Sequence, residues 1–120
     1  MIRFNNSKLS KNKKLLVFVS NTIRKVFGGD RLKRLSEIII AQENYEFEIV
    51  KITFSPNGFL TVEEKDLKTI LLGFNPNLIN YQLLIINNLK NEFKRNNFSE
   101  KIDIIDLTDP NKPKIKVFKP

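Results

Sequence analysis

The chain has 120 residues, of which 41% are hydrophobic and 28% charged, an ordinary globular balance near the commonest domain size that excludes a disordered chain. It contains no Cys, His or Trp, which excludes thiol nucleophiles, disulfides, the imidazole general base and the usual side-chain zinc ligands. A non-enzymatic binding protein without cofactor or metal is therefore expected.

The formal net charge is +8 and is concentrated at one end. Residues 1–35 hold ten Lys and Arg against one acid, Asp30, whereas the other 85 residues hold eleven basic and twelve acidic groups. Biased codon composition would raise lysine everywhere and does not explain the shortage of acids in this first third. Cationic side chains that neutralise phosphates release counterions, so the segment suits RNA, DNA or an anionic membrane surface. The alternative reading of the same run is a solvated basic face.

In chain order, residues 1–11 read as a flexible basic arm, and residues 12–120 as a single α+β domain with a helical part, 12–44, and a mixed part, 45–120. Leu15, Val19, Ile23, Val26 and Phe27 fall at helical spacing, although Leu15 to Val19 is also rich in strand formers. That run is too short for a signal-peptide core or a membrane span. A basic start resembles a transit peptide in composition, although the segment also reads as part of the fold; with no Cys to mark a redox compartment, the cytoplasm or an organelle matrix is the default location. Gly28 and Gly29 close the first helix, and Asp30 caps a second whose apolar stripe is Leu32, Leu35, Ile38 and Ile39.

The segment YEFEIVKITF (45–54) alternates β-branched and aromatic residues with polar ones, and SPNG (55–58) supplies a turn. Phe59 and Leu60 could open a hairpin partner, but Thr61 and Glu64 have capping-box spacing and favour a helix from Val62 to about Leu72. Asn75 and Pro76 form a helix start, followed by Ile79, Leu83, Ile86, Leu89 and Phe93 at intervals of three or four, to about Arg95. KIDIIDL (101–107) and KIKVFK (114–119) read as two strands joined by the turn TDPNKP (108–113). The expected architecture is thus a basic helical N-terminal segment followed by a strand-helix-helix-strand-strand body.

Two acidic groups, Glu63, Glu64 and Asp66, and Asp103, Asp106 and Asp109, show no convergent set of ligands, and read as helix-start and surface acids. Most of the ten Phe residues belong to the core rather than to base-stacking platforms. The candidate nucleic-acid-binding residues are Lys11, Lys13, Lys14, Arg24, Lys25, Arg31, Lys33 and Arg34. The main expectation is a nucleic-acid or ribonucleoprotein binding protein; the alternative is a protein-interaction or membrane-apposed scaffold module.

With LLGFNPN (71–77) standing where a GxxG loop would lie, the expected element order from Glu46 to Lys119 resembles the core of RNA-binding KH domains. Gly73 matches the first glycine of that loop, while Pro76 replaces the second. The same order is similar to POTRA modules, a resemblance that implies a protein partner added at a sheet edge.

Overall fold

The computed structural model describes residues 2–3, 29–96 and 102–118. Their order is β1 (Ile2–Arg3), α1 (Gly29–Asn44), β2 (Ile49–Phe54), β3 (Leu60–Glu64), β4 (Lys68–Gly73), a 3-10 turn (Pro76–Leu78), α2 (Ile79–Asn96), β5 (Ile102–Asp106) and β6 (Lys114–Val117). The six strands lie in one sheet in sequence order. Every neighbouring pair is antiparallel except β4 and β5, which run parallel. The parallel step needs a crossover, and α2 is that crossover.

The core follows from two periodicities meeting on one face. Leu35, Ile38 and Ile39 of α1, and Ile79, Leu83 and Ile86 of α2, are buried at helical spacing. They pack with Ile49 and Ile52 of β2, Leu60 and Val62 of β3, Ile70 and Leu72 of β4, and Ile102 and Ile105 of β5. The opposite strand positions, among them Lys51, Thr53, Thr61, Glu63, Thr69 and Leu71, are only partly buried. Gln82, buried on α2, donates through Nε2 to the carbonyls of Leu72 and Leu107 at 2.7 and 2.9 Å, and so joins the helix to the ends of both parallel strands.

Several local expectations are met. Asn75 caps the 3-10 turn, its side-chain oxygen accepting from the Asn77 amide at 2.9 Å with Pro76 just inside. SPNG closes the β2–β3 hairpin, with Gly58 at φ +92° and its amide donating to the Ser55 carbonyl. The strands at 102–106 and 114–117 pair antiparallel. Ile2 and Arg3, in the stretch expected as an arm, pair with Ile52 and Lys51 of β2. The Leu15–Val19 question, and the first helix with it, lie outside the described residues.

One expectation is overturned. Val62 to Leu72 is no helix but the hairpin β3–β4, so the body runs strand-strand-strand-helix-strand-strand. The reason lies in Glu64, whose carboxylate does bind nearby amides, as a capping residue would. Its Oε1 accepts from the amides of Asp66 and Leu67, at 2.7 and 2.9 Å, and closes a tight turn instead of opening a helix. Lys68 leaves that turn at φ +65°. Without the helix, the element order shared with KH and POTRA modules is lost.

Candidate binding surfaces

At one end of the molecule, the start of α1 is held to the β2–β3 turn. Arg31 donates to the Pro56 carbonyl at 2.9 Å, and its guanidinium lies 5.5 Å from the centre of the Phe54 ring. One turn on, Arg34 is only 2% exposed, and Nη1 reaches the Gly58 carbonyl at 3.5 Å, the weak limit of a hydrogen bond. Burial lowers its pKa to about 10, which leaves it charged at neutral pH. Lys33 is exposed. Of the eight basic positions expected to bind nucleic acid, therefore, Arg31 and Arg34 engage the hairpin turn, Lys33 faces solvent, and Lys11, Lys13, Lys14, Arg24 and Lys25 lie outside the described residues.

Two of the acids at 63–66, Glu64 and Asp66, meet a partner that the sequence does not announce. Lys90, buried on α2, bonds Glu64 at 2.6 Å and Asp66 at 2.7 Å. Glu64 Oε2 also accepts from the Glu48 amide at 2.7 Å, so this carboxylate is saturated by structural bonds. The Lys90 hydrogen bond holds Asp66 below the usual carboxylate range. Burial works against the Lys90 ammonium, but hydrogen bonds to Asp66 and Glu64 outweigh it and raise its pKa. This buried cluster ties α2 to the β3–β4 turn. Among the described residues there is no group of three or more potential metal-ligating side chains.

At the far edge of the sheet, all four residues of β6 are exposed. Ile115 pairs with buried Ile105, and Val117 with buried Ile102, so their side chains continue the core face past the reach of the helices. Ile115 is 41% exposed, Val117 56% and the following Phe118 58%. Lys114 and Lys116 alternate with them. Beside this strand, Leu71, Ile104, Asp106, Lys114, Ile115 and Lys116 line a shallow cavity of about 260 Å³. Among the described residues, no strand pairs with the outer edge of β6. The signal for this edge was present in KIKVFK, an apolar-lysine alternation, but nothing local says that no helix covers it.

No helix among the described residues is long and apolar enough to cross a membrane. Comparison with known protein families, with curated proteins and with solved structures finds no match.

Proposed function

We propose that the chain is a non-enzymatic binding module that takes an extended segment of a partner protein alongside β6. The observation that carries this reading is a strand that is outermost among the described residues, whose four residues are all exposed, with the apolar side chains of Ile115 and Val117 open to solvent. An unpaired edge offers amides and carbonyls to an incoming strand, and side-chain alternation gives it register. Lysine on an edge strand discourages indiscriminate pairing. Lys114 and Lys116 therefore select a partner segment in which apolar residues alternate with acids.

Peptides selected from a random display library on the immobilised protein test this. They should be enriched in apolar-acidic alternation, and Ile115→Asp with Val117→Asp should weaken their binding by roughly tenfold or more. Both positions are exposed, so the double variant should keep its stability within about 1 kcal/mol. Selected peptides that bind the double variant as tightly as the parent would end the proposal.

A second reading is favoured by the charge distribution. With +9 in residues 1–35 against −1 elsewhere, the first third suits a polyanion such as RNA, with Lys11, Lys13, Lys14, Arg24, Lys25 and Lys33 as the phosphate contacts. Replacing Lys13, Lys14, Arg24 and Lys25 by Glu should abolish binding of a labelled RNA in fluorescence anisotropy. RNA affinity that ignores both this reversal and added salt removes the second reading.

A further inference from the structure

On the face of the sheet turned away from the helices, cross-strand register sets side chains in two rows. One row runs Thr53, Thr61, Leu71, Asp106 and Lys114; the other runs Lys51, Glu63, Thr69, Ile104 and Lys116. Directly opposed residues are the closest neighbours on a sheet face, so opposite charges placed there offset one another. Lys51 stands across from Glu63, and Lys114 across from Asp106. Lys116 stands across from Ile104 instead. The acid in its own row, Glu63, is three strands away, about 14 Å at ordinary strand spacing, and is already opposed by Lys51.

The other acids nearby do not make up the difference. Asp106 accepts from the Thr108 hydroxyl and amide at 2.7 and 2.9 Å, and these bonds together with the charge of Lys114 hold it below the usual carboxylate range. Asp103 is the extra residue at the irregularity between Ile102 and Ile104, and among the described residues it makes no ion pair with Lys116. The two lysines alternate alike in the sequence, yet one shares its charge within the chain and the other does not. Between them and β4 lies the shallow cavity of about 260 Å³, to which partly buried Leu71 and Ile104 give an apolar floor.

A strand added along the outer edge of β6 puts every second side chain on this face, about 4.8 Å from the neighbouring lysine. An acid beside Lys116 meets an unshared charge over apolar ground, where water screens it less than at an open surface. An acid beside Lys114 also meets Asp106, one strand further in. We propose that Lys116 is the specificity-determining residue of the β6 edge and takes one acidic side chain of the incoming segment, while the position beside Lys114 admits uncharged residues. This rests on the strand-addition reading and narrows it, since the partner then needs a single acid among the apolar residues that meet Ile115 and Val117.

The test takes a library-selected peptide, replaces its acids by Gln, and moves a single Glu through the alternate positions, with binding to the full chain read by fluorescence anisotropy. One position should bind best, roughly threefold or more above the others. In Lys116→Glu that position should prefer Lys over Glu by a similar factor, whereas Lys114→Gln should leave the preference for Glu in place. Both substitutions change exposed side chains, and the fold should tolerate them. No favoured position, a preference that survives Lys116→Glu, or one that Lys114→Gln removes just as well overturns the assignment to Lys116; strand addition stands in those cases if binding still depends on Ile115 and Val117. Failure to select any peptide that depends on Ile115 and Val117 removes strand addition itself, and the assignment with it.

Discussion

Glu64 shows how one side chain can mislead a sequence reading and still be central to the fold. Three residues after Thr61 it has the spacing of a helix-start acid, but its carboxylate accepts three backbone amides and the Lys90 ammonium. Lys90→Met would strand that buried charge, and a loss of about 3 to 5 kcal/mol is expected in urea unfolding. The pH dependence follows from the signs of the shifts. Asp66 has a depressed folded pKa, so its contribution is present above the ordinary carboxylate range and is lost as pH falls through the folded value. Lys90 has a raised folded pKa, so its contribution is complete below the ordinary ammonium range and is lost as pH climbs past the folded value. In Lys90→Met both limbs of the stability-pH curve should flatten, and an unchanged acid limb would show that Asp66 gains nothing from Lys90. Gly73 is a second single-residue constraint. At φ +82°, with Thr108 Cγ2 3.1 Å from where a Cβ would stand, Gly73→Ala should cost about 1 kcal/mol or more by thermal melting.

Among elements, those set by neighbours in the chain were legible and those set by distant ones were not. SPNG, Asn75 with Pro76, the apolar stripe from Ile79 to Phe93 and the hairpin at 102–117 each carry their own turn or cap chemistry, and the structure has them where expected. The region 62–72 does not. TVEE carries both a capping spacing and a strand alternation, and the choice was made by Lys90, Glu48 and the pairing of β3 with β2 and β4. The parallel pairing of β4 with β5 is likewise invisible locally, because a whole helix separates the strands. Gln82 secures that step from the core of the crossover. Gln82→Leu would leave the Leu72 and Leu107 carbonyls without this donor, and a loss of about 1 to 3 kcal/mol is expected. A variant as stable as the parent would mean that those carbonyls find other partners.

At the scale of the whole molecule, composition set an expected class and charge an expected place, but neither could say what faces outward. The absence of Cys and His left binding as the expected role, and the basic first third pointed to one end. Within the described residues, however, Arg31 and Arg34 turn toward the β2–β3 hairpin, and the exposed apolar side chains of Ile115, Val117 and Phe118 lie on and just after β6, while Ile40, Phe74, Tyr81 and Leu84 are exposed elsewhere. The reach of the helical layer decides this. α1 and α2 cover β2 through β5 and stop short of the last strand, a property of the assembled layers that no segment encodes alone.

Amide hydrogen exchange across β6, read by nuclear magnetic resonance with and without a library-selected peptide, tests strand addition most directly. The account predicts new protection at alternate amides from Lys114 to Phe118, the pattern of an outer edge gaining a hydrogen-bonded neighbour. Protection confined to other parts of the molecule, with β6 exchanging as fast as in the free protein, would contradict it.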